Sequence, residues 1–137
     1  MIAAIDRSLE LVAARVGDPT PLVYARLFAR LPEMEPLFAR DADGAIKGHM
    51  LQEAIEAARD LVSARSYGPH FVANEWVNHQ NLGVPAEAYG VFYDAIVETF
   101  RVALGDAWDG EMDRAWAAVI ADVAAITAAR GLMQPVR

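Results

Sequence analysis

An all-α fold of six or seven helices is what this sequence of 137 residues predicts. Apolar residues recur at three- and four-residue spacing along most of the chain. No stretch alternates in the manner of a half-buried strand, and breaks such as "GDPTP", "RDADG" and "SYGP" separate the periodic runs. The length suits a single domain over residues 1–137, able to bury a core without disulfide or metal staples.

In the first run Ile2, Ile5, Leu9, Val12 and Val16 share a helix face. "GDPTP" ends it, and Thr20 with Pro21 reads as an N-cap followed by proline at the first helical position. The second helix, about residues 21–31, carries Tyr24, Leu27, Phe28 and Leu31 on one stripe. Pro32 and Pro36 interrupt the pattern and leave "PEMEPLF" as a short helical turn or corner. Asp43 in "RDADG" caps a helix of about residues 45–64 whose stripe is Met50, Leu51, Ala54, Ile55, Ala58, Leu61 and Val62. Gly68-Pro69 ends it.

A shorter helix, about residues 70–81, places Val72, Trp76 and His79 on one side, and "LGVP" closes it. Pro85 opens the next, about residues 85–104, which presents Tyr89, Phe92, Tyr93, Ile96, Val97 and Phe100. After "GDAWDG" a last helix of about residues 111–130 presents Met112, Trp116, Val119, Ile120, Val123 and Ile126. Gly131 reads as its stop, with residues 131–137 as a loose tail.

Apolar residues at 55% against 23% charged argue for a packed protein and against disorder. The net charge of −7 leaves no broad basic face for nucleic acid or anionic lipid. Without cysteine there is no disulfide, no thiolate nucleophile and no thioether-linked cofactor. Asp6, Arg7 and Glu10 break any signal-peptide core, and no run reaches the apolar length of a membrane span. The expected location is the cytoplasm, with neither membrane nor nucleic acid as partner.

There is no glycine-rich phosphate loop, no nucleophile elbow and no pair of histidines at metal-ligand spacing. Glu33 with Glu35, and Glu111 with Asp113, sit at breaks or polar faces, where carboxylates solvate the surface. No catalytic set emerges. His79 stands apart, because Val72 and Trp76 precede it at helical spacing and point it at the core. Periodicity leaves two readings open: a half-buried imidazole bonded to backbone, or a metal ligand facing a cavity that holds a flat cofactor.

Several segments in register bear on that choice. "VYARLFARLPEMEPLF", "HMLQEAI", "HQNLGVPAEAY" and "RAWAAVIADV" together resemble a globin, and most of all the single-domain bacterial haemoglobins and the haem domain of flavohaemoglobins. The resemblance runs from about Asp6 to Ile126 and implies a globin fold holding haem b without a covalent bond. It implies His79 as the iron ligand, Tyr24 as the distal hydrogen-bond donor to bound O2, and Leu51 as the apolar residue above the iron. It implies Phe38, Val84, Phe92 and Ile96 as porphyrin contacts, Tyr89 as a group that orients the His79 ring, and Lys47 at the distal gate.

Two features depart from those relatives. They usually carry a neutral polar group where Lys47 stands, and a lysine there is expected to snorkel out towards a haem propionate. Flavohaemoglobins also pair the proximal histidine with a glutamate late in the last helix, whereas "AAITAARGLMQPVR" has no acidic residue. Reversible binding of O2, NO or CO is therefore expected over strong O–O activation, and NO oxidation would need electrons from a separate reductase. The alternative is a globin-fold module that has lost haem and serves signalling or protein interaction. His49 and His70, the rival ligands, are expected to face away from the pocket, and the chain is expected to be a monomer or homodimer.

Overall fold

The computed structural model describes residues 1–133. Among them are six α-helices, α1 (Ile2–Val16), α2 (Thr20–Arg30), α3 (Ala45–Leu61), α4 (Gly68–Asn81), α5 (Ala88–Leu104) and α6 (Gly110–Met133), and no strand. Two 3-10 segments, Pro32–Phe38 and Gly105–Ala107, join them. The first of these is "PEMEPLF", where Pro36 lacks the N–H that a longer α ladder requires.

The helix ends differ from the periodic reading, and around α2, α3 and α4 a carboxylate explains the difference. Thr20 lies inside α2 with Pro19 at the cap position, and Asp18 Oδ1 just before it accepts the Thr20 N–H at 3.0 Å and its hydroxyl at 2.6 Å. At the start of α3 Asp43 takes only the Ala45 N–H, while the buried Asp41 accepts the N–H groups of Ile46 and Lys47 at 2.9 and 3.0 Å. α3 then ends early, at Leu61. Asp60 reaches forward to the N–H groups of Ser66, Tyr67 and Gly68 and to the Ser66 hydroxyl, which winds the chain about one carboxylate and starts α4 at Gly68.

α5 starts at Ala88 rather than Pro85, because the Ala88 N–H turns back to the Pro85 carbonyl at 3.0 Å. α6 runs through Gly131 to Met133, so the expected stop and the first part of the expected loose tail are helix. The rest of that tail, residues 134–137, lies outside the described residues.

α5 forms the centre, packing against α1, α2 and α6, while α3 packs on α4 and α4 on α6. Tyr93, Ile96, Phe100 and Leu104 are fully enclosed, and Phe100 meets Trp116 edge-on at 5.6 Å. Trp116 Nε1 donates to the Ser8 hydroxyl, which itself donates to the Ile5 carbonyl, so this buried polar chain is satisfied.

α6 is long and apolar enough, by length and composition, to cross a membrane, which corrects the expectation that no run reaches that length. Here Met112, Ala115, Trp116, Val119 and Val123 are buried in the core instead.

Candidate functional site

The site is a slot whose walls come from α2, the 3-10 corner, α3, α4 and the start of α5. Its inner part, about 60 Å³, is lined by Tyr24 and Leu27 of α2, Met34 and Phe38 of the corner, Met50, Glu53 and Ala54 of α3, and Phe71, Glu75 and His79 of α4; Val84, Ala88, Tyr89 and Phe92 complete it. The outer part, about 340 Å³, is lined by Met34, Phe38, Met50, His79 and Val84 as well, together with Leu37, Arg40, Asp41, Ile46 and Leu82. Five shared residues make the two hollows neighbours along one cleft.

His79 is held by its own helix. Its Nδ1 lies 2.6 Å from the Glu75 carbonyl oxygen, one turn back. A carbonyl only accepts, so Nδ1 carries a proton, and in the neutral ring Nε2 holds the lone pair. That tautomer is the one a metal ligand requires, and this second hydrogen bond fixes the ring's orientation. The Glu75 carboxylate stands 3.7 Å from the same Nδ1, an acidic neighbour supplied by α4 rather than by the last helix.

The Tyr89 ring meets His79 at 5.7 Å, near a right angle. Because Nδ1 is committed to the Glu75 carbonyl, Tyr89 touches the imidazole by packing, and the backbone does the orienting assigned to it from sequence. Val84 closes the turn after α4 by donating its N–H to the His79 carbonyl at 3.0 Å.

Tyr24 faces the slot from the other side. Its ring lies 5.8, 5.4 and 5.3 Å from those of Phe28, Phe38 and Phe92. The residue is 2% exposed, and its hydroxyl is buried with no hydrogen-bond partner among the described residues. Burial, and then the charge of Asp41, push its pKa well up, so the hydroxyl stays protonated. An unpaired buried O–H is costly, and on a residue that lines an apolar hollow it is a donor without an acceptor.

Three residues named from sequence lie elsewhere. Leu51 is buried in the core at 3% exposure and does not line the slot; Ile46, Met50, Glu53 and Ala54 form the slot-facing side of α3. A helix turns about 100° per residue, so a register one position off moves the side chain to another face. Ile96 likewise joins the core, outside the lining. Lys47 is not in the lining either: its Nζ pairs with Asp41 at 3.3 Å and sits 5.6 Å from the Phe38 ring centroid. Burial pushes the Asp41 carboxyl up, but the N–H groups of Ile46 and Lys47 and the Lys47 ammonium together hold it below the usual carboxylate range.

Met50, Met34, Glu53 and Glu75 were missed. Met50 lay on the stripe read from sequence, whereas the two glutamates gave no signal beyond being polar. His49 is exposed and its Nε2 meets Glu53 Oε1 at 2.5 Å, so it stands behind the α3 wall; His70 is exposed at the start of α4.

A bonded imidazole on α4, an unpartnered tyrosine on α2 and an aromatic slot between them bring the comparisons into focus. The globin family model matches residues 22–127. The chain belongs to the globin family. It is also similar to the Globin-2 A chain of Anadara inaequivalvis, at 24% identity over 132 residues, covering 90% of this chain and 88% of that protein. No solved structure matches it significantly. Globins typically bind haem and, through it, diatomic gases such as O2. The slot of this globin suits that cofactor in the chemistry of its donors: an imidazole nitrogen kept free, an apolar aromatic lining for a flat ring, and a hydroxyl for a polar ligand.

Proposed function

We propose that this globin holds haem b non-covalently, with His79 as the iron ligand, and reversibly binds O2 and other diatomic gases. The observation that carries this reading is the His79 ring, which lines the slot with its Nδ1 bonded to the Glu75 carbonyl, so that the neutral ring has Nε2 as its donor to a metal. When bound, haem supplies a metal centre that takes up the gas. The protein's own groups do the rest. Phe38, Val84, Tyr89 and Phe92 enclose a flat apolar ring, which is mostly burial. Tyr24 offers its hydroxyl proton to a gas held in the slot, a bond strengthened as the acceptor gains negative charge.

Arg40 lines the outer part and Lys47 stands beside it, cations placed to meet carboxylates at the slot's mouth. Gas carriage, gas sensing, or NO oxidation with electrons from a separate reductase all use this pocket, in the cytoplasm and as a monomer or homodimer. The competing reading, a haem-free interaction module, draws on the small inner volume.

One titration separates them. Purified protein with added hemin is expected to give a sharp, stoichiometric haem spectrum. His79→Gly should lose it and regain it with free imidazole. Hemin that stays unbound, or a spectrum indifferent to His79→Gly, overturns the reading.

A further inference from the structure

The α3 wall of the slot carries a group with metal chemistry of its own. Lys47 is tied to Asp41, Leu51 is turned into the core, and Glu53 is engaged by His49. That leaves Met50. It lines both the inner and outer parts of the slot, as His79 does, and the two sit on α3 and α4, helices packed against each other. We propose that the Met50 thioether is a second protein ligand to the haem iron, taking the position across from His79 whenever no gas occupies it.

The chemistry favours this role. A thioether is a soft neutral donor that prefers ferrous to ferric iron, and histidine–methionine ligation raises a haem's reduction potential. Methionine is unbranched with three rotatable bonds, so a half-buried Met50 can reach in or withdraw without moving the backbone. Met34, the other methionine lining both parts, is less free: it is 6% exposed, in a 3-10 segment pinned by its N–H to the Leu31 carbonyl at 2.9 Å. The position above the iron would then be self-closed and reversible, with gas displacing sulfur. The Tyr24 hydroxyl, which a thioether satisfies poorly, gains its partner only when gas enters.

The proposal rests on the haem reading above, and its test tells the two apart. Ferrous, gas-free protein is compared with Met50→Leu and Met34→Leu, volume-conserving changes that leave the core packed. The wild type and Met34→Leu are expected to give a six-coordinate low-spin spectrum. Met50→Leu should give a five-coordinate high-spin one, with CO association faster by about tenfold or more and a lower reduction potential. Haem bound but five-coordinate in the wild type, or a spectrum unchanged in Met50→Leu, overturns the proposal and leaves the haem reading standing. Loss of the low-spin form in Met34→Leu alone overturns the assignment to Met50. Failure to take up haem at all overturns both.

Discussion

The Nδ1 of His79 donates to the Glu75 carbonyl at 2.6 Å, while the carboxylate of the same glutamate waits 3.7 Å away. The first contact is made by backbone and survives any substitution at residue 75. The second is an anion beside an imidazole, and it favours the more positive state of whatever metal the ring holds. Glu75→Gln is therefore expected to keep haem and raise its reduction potential. For a partly screened charge the effect is about 1 kcal/mol, or roughly 40 mV for one electron. Spectroelectrochemical titration measures it, and an unmoved potential would mean that solvent screens the carboxylate.

Tyr24→Phe should act in opposite directions on two measurements. The hydroxyl is buried and unpartnered, so removing it from the haem-free protein relieves a desolvation cost and leaves stability unchanged or higher by up to about 1 kcal/mol. With haem present the same change removes the donor that Tyr24 offers to bound gas, and O2 dissociation should quicken by about tenfold or more. Denaturant unfolding and stopped-flow displacement test the two halves. A slower or equal O2 off-rate would take Tyr24 out of the ligand site.

The sequence reveals the parts of the fold and slot that periodic forces shape, and hides the rest. The stripes through Tyr24, Phe92 and His79 are periodic, so the helices and, in the slot's wall, Tyr24, His79, Tyr89 and Phe92 were legible. Helix ends were not, because Asp18, Asp41 and Asp60 grip backbone N–H groups two to eight residues ahead and leave no repeating pattern. On α3 both Met50 and Leu51 are apolar, and only packing decides which turns towards the slot. The 3.7 Å approach of Glu75 to His79 was hidden as well, since a glutamate one turn before a histidine is common on any exposed helix.

Gly68 is where α4, and with it His79, is anchored. A Cβ at this position would lie 2.8 Å from Asp60 Oδ2 and 3.2 Å from both the Ala57 carbonyl oxygen and Leu61 Cδ2. Gly68→Ala must push the carboxylate off the N–H groups it holds or shift the helix. A loss of about 1–3 kcal/mol is expected, as for other overpacked sites. Haem transfer to an acceptor such as apomyoglobin should speed up in the same variant. Stability and haem retention equal to wild type would show that the α3–α4 corner yields more easily than its contacts suggest.

Acid should undo that corner in a predictable order. Burial pushes the Asp60 carboxyl up, but the N–H groups of Gly68, Tyr67 and Ser66, with the Ser66 hydroxyl, outweigh it and hold the pKa below the ordinary 3.8. A carboxyl whose folded value is depressed stabilises the fold fully above the unfolded value. That contribution is lost as pH falls through the folded one, because the unfolded chain binds the proton first. Asp60→Asn cannot ionise, so it should be less stable than wild type near neutrality, and the gap should close as the pH drops below about 4. Denaturant midpoints for the two proteins at neutral pH and at about pH 3 give the comparison, in which charges elsewhere on the chain cancel. A gap of equal size at both would mean that the shape of the side chain, and not its charge, holds α4 in place.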